Sequence, residues 1–261
     1  MDNDHLLQHL EGEKELALGR KAIDLARRSA QVNKPQATDF LDPYERKVAK
    51  SVLGSFPEVG VLHFGGYKKA ERARVLIYPR FYLTETIPSP IKVLEAKGNF
   101  SFAETTHRDF LGSLLATGLE RGKIGDLLVL PQGCQVVVAR EIADYLFTNW
   151  SRVRKVPIEV GEIDPQQLAV EPERIKEIKA TVASLRLDAV AAEGFGTSRT
   201  KMVREIKSEK LKVNWKLVSN PALSVAQGDM LSFRGRGRVL IHAVGGKTRK
   251  GRLNLVLHRY Y

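Results

Sequence analysis

Cationic side chains recur at helical spacing near the end of the chain, and their types suit the binding of phosphates. Residues 199–210 include Arg199, Lys201, Arg204, Lys207 and Lys210. Side chains three or four residues apart share one face of a helix, so Arg204 and Lys207 can reach one phosphate backbone. The opposite, core-facing stripe would consist of Met202, Val203 and Ile206. This pattern predicts a helix that binds nucleic acid through its phosphates.

A predicted hairpin follows this helix and places an aromatic side chain between two lysines. Residues 211–218 have the sequence LKVNWKLV, with Lys212 and Lys216 on either side of the turn. A large aromatic side chain at a hairpin tip lies outside the core and offers a surface on which an unpaired base can stack. We therefore add Lys212, Trp215 and Lys216 to the predicted site.

The charge of the whole chain supports the same interpretation. Residues 184–261 contain 16 Lys and Arg against 5 Asp and Glu, a net charge of +11, whereas the other 183 residues contain 26 and 25, a net of +1. Lysines of an ordinary surface are scattered and balanced by acids, so this excess predicts a nucleic acid partner. A membrane surface fits less well, because the cations do not lie on a long amphipathic helix. Other cations that contribute to this charge are Arg234, Arg236, Arg238, Lys247, Arg249, Lys250 and Arg252.

The best candidate for catalysis is a histidine close to an aspartate, in His107-Arg108-Asp109. Such a pair could support acid–base chemistry, which would make the protein an RNA-modifying or RNA-cleaving enzyme. The same residues open a predicted helix, where Thr105 or Thr106 suits the cap and Asp109 suits the positive helix end. We therefore favour a capping role and predict a protein that is not an enzyme.

Other chemistry-bearing residues favour structural roles. Gly65-Gly66 and Gly194-Phe195-Gly196 lack the spacing of a phosphate-binding loop and are interpreted as turns. The histidines show no ligand spacing apart from His5 and His9, so we expect neither metal nor cofactor. The single cysteine, Cys134, excludes an intrachain disulfide and is typical of a small buried side chain in a reducing cytosol.

The elements that must position these residues fall into three regions and a connector. The first region is helical, with one helix ending at Lys34-Pro35 and the next capped by Asp42-Pro43. The second alternates strands and helices, and the third is compact and basic. We predict an α+β protein with boundaries at 1–60, 61–163, 164–182 (the connector) and 183–261.

The second region has the order β-α-β-β-α-β from Ile91 onward, with its first helix over 108–120. This is the split βαβ arrangement of a ferredoxin-like sheet. RNA-recognition modules share that fold, but they need aromatic side chains on the central strands. Those strands offer Val129, Val136 and Val138 here, so the fold alone does not indicate RNA binding in this region.

Five short blocks in the third region keep the order and spacing of a known motif. They are Leu185-Arg186-Leu187-Asp188, Thr197-Ser198-Arg199, Ile206-Lys207, Val213-Asn214 and Gly228-Asp229. They resemble the αL RNA-binding motif first described in a small-subunit ribosomal protein. The resemblance implies RNA contacts by Ser198, Arg199, Arg204, Lys207, Lys212 and Asn214.

Two details of this motif need interpretation. The family has Asn-Gly where this chain has Asn214-Trp215, and glycine suits the positive φ of a type I′ turn. Trp215 therefore predicts a different turn and an added stacking contact. Arg186-Leu187-Asp188 also resembles the catalytic triplet of RNA pseudouridine synthases, but it lies where the αL motif has such a triplet. We interpret Asp188 as structural and tied to Arg186.

Further blocks extend the resemblance over most of the chain. They are Phe64-Gly65-Gly66-Tyr67, Ala70-Glu71-Arg72, Thr106-His107-Arg108-Asp109-Phe110-Leu111-Gly112 and Lys123-Ile124-Gly125-Asp126. They resemble the YlmH family, and Trp215 suggests its cyanobacterial and plastid branch, named for a link to photosystem II. The resemblance implies a helical N-terminal part, a ferredoxin-like middle domain and a C-terminal αL motif. Because the block from Thr106 to Gly112 is the family's most recognisable stretch, Arg108 joins the predicted RNA-binding residues.

The resemblance also implies a role in translation. In bacteria the family is associated with the large ribosomal subunit in rescue of stalled translation, near peptidyl-tRNA. We therefore predict a non-catalytic RNA-binding protein of the translation apparatus, with large-subunit ribosomal RNA and tRNA as partners. Two alternatives stay open: an RNA-modifying enzyme with a site near His107 and Asp109, and an assembly factor for a thylakoid complex.

The expected location follows from the N-terminus and from the lack of long apolar runs. The first residues are too acidic and polar for a signal or transit peptide. No apolar run approaches the roughly 18–20 residues of a spanning helix. We expect a cytoplasmic monomer that does not insert into membranes.

Overall fold

The computed structural model describes residues 4–100 and 105–260. The chain divides into two compact units, Met1–Val170 and Glu171–Tyr261, which we call the first unit and the second unit. Residues 1–3 and Tyr261, which the predicted terminal regions include, lie outside the described residues.

The N-terminal part of the first unit packs helices against a small sheet. Its elements are α1 (Asp4–Leu7), α2 (Glu13–Val32), β1 (Gln36–Leu41), α3 (Pro43–Leu53), β2 (Val59–Phe64) and β3 (Ala73–Pro79). The strand order is β1-β3-β2, and both pairs are antiparallel. Ile23 of α2, Val52 of α3 and Ile77 of β3 are completely buried in their shared core.

The helices of this part were predicted well, but strand β1 was not predicted. α2 ends at Val32, just before Lys34-Pro35, and Pro43 lies in the first turn of α3. Oδ1 of Asp42 accepts a hydrogen bond from the Glu45 amide at 2.9 Å, which caps α3 as expected. Because β3 pairs with both β1 and β2, the predicted boundary at residue 60 falls inside this sheet.

The remainder of the first unit contains a five-stranded antiparallel sheet. Its elements are β4 (Ile91–Gly98), α4 (His107–Leu115), β5 (Ile124–Leu130), β6 (Gly133–Ala139), α5 (Ala143–Asn149), β7 (Arg152–Val153) and β8 (Val156–Ile163). The strand order β5-β6-β4-β8-β7 confirms the predicted split βαβ arrangement. α4 ends at Leu115, earlier than predicted, and Gly118 follows with a φ of 88°.

The core of this sheet explains its valine-rich strands. Every residue of β6 is buried, so Val136 and Val138 serve packing. Phe110 of α4 and Trp150 pack in the same core. The indole Nε1 of Trp150 donates a hydrogen bond to Oγ of Ser113 at 2.9 Å, which satisfies the buried ring.

The second unit packs two helices on one six-stranded antiparallel sheet. Its elements are β9 (Ile175–Val182), α6 (Leu187–Phe195), α7 (Arg199–Lys207), β10 (Leu211–Val213), β11 (Lys216–Val218), β12 (Met230–Phe233), β13 (Gly237–Lys247) and β14 (Leu253–Tyr260). The strand order is β11-β10-β12-β13-β14-β9. Leu231, Val239 and Leu257 point from the sheet into the core that the helices cover. The predicted connector at 164–182 therefore ends in an edge strand, β9.

Candidate nucleic-acid interface

Helix α7 is short, and its ends and buried stripe determine which side chains are exposed. Oγ of Ser198 accepts a hydrogen bond from the Lys201 amide at 3.3 Å, which caps the helix. Met202 and Ile206 are completely buried in the core of the second unit. Val203, predicted for the same stripe, is only partly buried.

The exposed side of α7 holds Lys201, Arg204 and Lys207, which we call the α7 basic face. At about 100° per residue, these side chains spread around the side opposite Met202 and Ile206. In the described part of the chain, no carboxylate lies within 4.0 Å of their charged nitrogens. The face therefore presents three positive charges that lie outside the ion pairs of the described residues, an arrangement that suits a phosphate backbone.

Asp188, at the start of α6, is buried between two arginines. Its carboxylate accepts hydrogen bonds from Arg186, at 3.2 Å from Nε to Oδ1 and at 3.0 Å from Nη2 to Oδ2. Nη2 of Arg199 donates to the same two oxygens at 3.2 and 3.1 Å. The predicted tie to Arg186 is confirmed, and Arg199 is an additional partner that the sequence did not reveal. We call these three residues the Asp188 cluster.

The Asp188 cluster has a net charge of +1 at neutral pH. Burial tends to raise the pKa of Asp188, but the hydrogen bonds and charges of Arg186 and Arg199 outweigh it and hold the pKa below the ordinary 3.8. The side chain of Arg199 is still 55% exposed. Asp188 thus fixes Arg199 in place at the start of α7 without removing it from the surface.

Asn214 anchors the hairpin of β10 and β11 to the start of β12. Its backbone amide donates to the Met230 carbonyl at 2.8 Å, and its Oδ1 accepts from the Met230 amide at 2.9 Å. Its Nδ2 donates to Oδ1 of Asp229 at 2.8 Å. Both polar atoms of this side chain, which was predicted to contact RNA, are therefore engaged within the fold.

The turn of this hairpin corrects the prediction made from Trp215. Asn214 has a φ of 49° and Trp215 a φ of 67°, so both central residues have the positive φ of a type I′ turn. The predicted different turn is wrong, because the twist of the paired strands and the anchored Asn214 favour this geometry over the preference of tryptophan. Trp215 is partly buried, and Lys212 and Lys216 flank the turn as predicted.

One predicted cation is paired within the fold, and one cation that was not predicted lies nearby. Nζ of Lys210 lies 2.7 Å from Oε2 of Glu205, so its charge is compensated. This hydrogen bond is the main cause that lowers the pKa of Glu205, and the charges of Lys201 and Arg236 add to it. Arg236 thus lies near the end of α7, although the predicted site did not include it. The alternation of arginine with glycine in residues 234–238 was the sequence pattern that could have indicated Arg236.

The predicted site residues are divided between the two units. The second unit contains Ser198, Arg199, Lys201, Arg204, Lys207, Lys210, Lys212, Asn214, Trp215 and Lys216. Arg108 lies in the first unit, where it is exposed in the first turn of α4.

The catalytic alternative next to Arg108 has little geometric support. Oδ2 of Asp109 accepts hydrogen bonds from the Thr106 amide at 2.9 Å and from Thr106 Oγ1 at 2.8 Å, so Thr106 is the N-cap residue of α4, as predicted, and Asp109 completes its capping box. These bonds lower the pKa of Asp109. Burial, assisted by Arg121, lowers the pKa of His107. Among the described residues, no hydrogen bond joins His107 to Asp109.

Other candidate chemistry was also located. Cys134 is buried in β6, and burial raises the pKa of its thiol well above the usual range. Nε2 of His9 lies 2.7 Å from Oγ of Ser51. Within residues 4–100 and 105–260, no cluster of three or more His, Cys, Asp or Glu could hold a metal ion. The helices of this described part include none long and apolar enough to cross a membrane.

Comparison with known proteins identifies the family. Residues 18–82 match the family model described as "YlmH, N-terminal", and residues 89–167 match "Putative RNA-binding domain in YlmH". The curated "Ribosome-associated protein quality control protein P2" of Bacillus subtilis (strain 168) is 33% identical over 239 residues, which cover 92% of this chain and 93% of the relative. The chain belongs to the YlmH family.

A solved structure supports the fold of this YlmH family member. The "Cell division protein ylmH from Streptococcus pneumoniae" has a TM-score of 0.50 at 20% identity, and the match covers 60% of this chain and 96% of that one. The YlmH family description attaches RNA binding to residues 89–167, in the first unit. The α7 basic face lies in the second unit, so this YlmH protein has a candidate RNA surface outside the region that the family description names.

Proposed function

We propose that this protein binds ribosomal RNA of the large subunit, with tRNA as a second RNA partner, in ribosome-associated quality control. The α7 basic face and the β10–β11 hairpin of its αL-like motif would grip the RNA backbone. The protein would act by binding and would not catalyse a reaction on RNA. The ribosomal part of this proposal draws on the printed name of the Bacillus subtilis relative.

The observation that carries the proposal is the α7 basic face. Lys201, Arg204 and Lys207 are exposed opposite a buried stripe, and no ion pair within the described residues compensates them. They belong to the part of the chain that carries a net charge of +11. Since a folded protein loses stability through such repulsion, a polyanionic partner is the simplest account of this face.

The Asp188 cluster supports binding rather than catalysis. The Asp188 carboxylate is buried and accepts hydrogen bonds from two guanidinium groups, which keep it ionised and leave it poorly suited to attack a base. The cluster instead aligns Arg199 with the start of α7. Asp109 is likewise engaged, because it accepts hydrogen bonds from Thr106 at the start of α4.

A double variant of α7 tests the proposal. Arg204→Ala with Lys207→Ala should weaken binding to ribosomal RNA and reduce the slope of log affinity against log salt by about 1.4–1.8, because each lost phosphate contact removes about 0.7–0.9. Fluorescence anisotropy over a salt series measures both quantities. Arg199 is left intact, since its removal would also disturb buried Asp188.

The matched control is Arg249→Ala with Lys250→Ala, an exposed pair in the loop between β13 and β14. This control removes the same charge from the same unit and should change the salt slope by less than half as much. Equal losses from the two variants would indicate binding by general charge and would contradict the assignment to α7.

A further inference from the structure

The first unit contains an open cleft that no part of the proposed function uses. Its volume is about 750 Å³. One wall is α3, a second is the end of β2 with the following loop at residues 65–70, and the start of β4 and Pro165 contribute to the rim. A cleft of this size is in the range of small-ligand sites, about 300–1,000 Å³.

The polar side chains of this cleft are nearly all basic. α3 contributes Arg46, Lys47 and Lys50, β2 contributes His63, and the loop contributes Lys68. None of the residues that line the cleft is an aspartate or a glutamate. This concentration stands out because the chain before residue 184 is almost neutral overall. The net charge of residues 1–183 therefore did not reveal this local positive site.

The cations of the cleft destabilise one another. Burial is the first cause that lowers the pKa of His63, and the charges of Arg46 and Lys50 lower it further. In the described part of the chain, neither Lys50 nor Lys68 has a carboxylate within 4.0 Å of its Nζ. Asp126, Asp42 and Glu71 partly offset the charge of Arg46. Lys50 and Lys68 have no ion-pair partner of their own among the described residues, so their like charges raise the free energy of the empty site. A bound anion would remove that penalty.

Asp126, one of the acids whose charge acts on Arg46, also builds the loop wall. Asp126 accepts hydrogen bonds from the Tyr67 hydroxyl at 2.8 Å, from the Glu71 amide at 2.7 Å and from the Arg72 amide at 3.0 Å. Gly66 has a φ of 87°, and a side chain there would meet Val137 at 2.9 Å. The loop is therefore fixed by its own contacts, so the cleft is shaped before any ligand arrives.

We propose that this cleft binds the phosphate of a nucleotide, either a free nucleotide or one unit of an RNA strand. Lys50, His63 and Lys68 would surround the phosphate, while the apolar Phe64 and Ile91 of the lining suit the sugar and base. This site lies in the first unit and does not depend on the α7 basic face. It adds a second phosphate-binding position to the protein.

The test follows the imidazole of His63 by proton NMR in the full chain, with the signal assigned by His63→Gln. The probes are inorganic pyrophosphate, uridine monophosphate and a short single-stranded oligoribonucleotide. A phosphate seated beside His63 stabilises the charged imidazolium, so the pKa of His63 should rise by about one unit. A rise with the monophosphate indicates a free nucleotide, and a rise with the oligoribonucleotide alone indicates an RNA strand.

Two double variants of the cleft lysines, with a control that matches the charge change of the first, make the test specific. Lys50→Glu with Lys68→Glu should abolish the response of His63 to the probes, and Lys50→Gln with Lys68→Gln should reduce it. Both lysines are exposed, so folding should be preserved. The control Arg20→Glu with Arg28→Glu changes two exposed arginines of α2 and should keep the full response.

The proposal fails if none of the three probes moves the pKa of His63, or if the lysine variants respond like the unaltered protein. The α7 variant Arg204→Ala with Lys207→Ala should retain the His63 response. Failure of the cleft and failure of the α7 assignment are thus separate results.

Discussion

At the scale of single residues, Asp188 shows how position decides chemistry. Its triplet resembles a catalytic one in sequence, yet both carboxylate oxygens are covered by Arg186 and Arg199. A catalytic aspartate that must react with an RNA nucleobase needs a carboxylate that the nucleobase can reach. Asp188 instead compensates two arginines and orients one of them towards the predicted RNA surface.

Replacing Asp188 by asparagine should destabilise the second unit by about 2 kcal/mol, because hydrogen bonds to charged groups contribute about 1.5–3 kcal/mol and both arginines can rehydrate in part. Urea denaturation of the variant measures this loss. The control is Glu193→Gln, which removes an exposed acid from the same helix and should change the stability by less than about 0.5 kcal/mol.

The loss of stability caused by Asp188→Asn should depend on pH, in a direction that the lowered pKa of Asp188 sets. The folded pKa of Asp188 lies below the ordinary 3.8, so its stabilisation is present above that pH and is lost as the pH falls through the lower, folded value. The stability difference between the unaltered protein and the asparagine variant should therefore be constant near neutral pH and shrink below about pH 4. A difference that persists undiminished at lower pH would contradict this account.

At the scale of elements, α7 depends on its cap. A helix of nine residues is too short to be stable alone, so the Ser198 cap and the buried Met202 and Ile206 must hold it. The same cap places the α7 basic face at the surface. The stability of this element and its RNA affinity are thus linked through one residue, and two substitutions can separate them.

Ser198→Ala should lower stability by about 1 kcal/mol, because the Lys201 amide loses its acceptor. Ser198→Asp should retain the stability, since aspartate also caps helices, but it should weaken RNA binding by adding a negative charge beside the basic face. Thermal unfolding and fluorescence anisotropy measure the two effects. If aspartate bound RNA as well as serine does, the start of α7 would not face the RNA.

At the scale of the whole molecule, the division at residue 170 suggests separable tasks. β9 starts at Ile175, so a cut between Val170 and Glu171 leaves the six-stranded sheet of the second unit complete. The first unit contains the basic cleft beside α3, and the second contains the α7 basic face. Each unit has its own core.

A cleavable site introduced between Val170 and Glu171 tests this division. After cleavage, the 171–261 piece should remain folded and keep most of the affinity for ribosomal RNA, because it retains both α7 and the hairpin. Circular dichroism and anisotropy on the purified pieces provide the measurement. Loss of folding in that piece, or transfer of the affinity to the 1–170 piece, would overturn the assignment of RNA binding to the second unit.

Local sequence signals determined much of this protein. The caps at Asp42 and Thr106 and the element order of the ferredoxin-like sheet were readable because each depends on neighbours within a few residues. The uneven charge was equally readable, since it needs only counting. The family resemblance rested on short blocks with fixed spacing.

The tertiary structure decided what depends on distant partners. β1 became a strand because β3 pairs with it from more than thirty residues away. Arg199 acquired Asp188 as a partner, and strand pairing imposed a type I′ turn on Trp215. The cleft brings cations of α3, β2 and a loop together inside a region of nearly zero net charge. Composition averages over such a region, whereas folding decides which charges become neighbours.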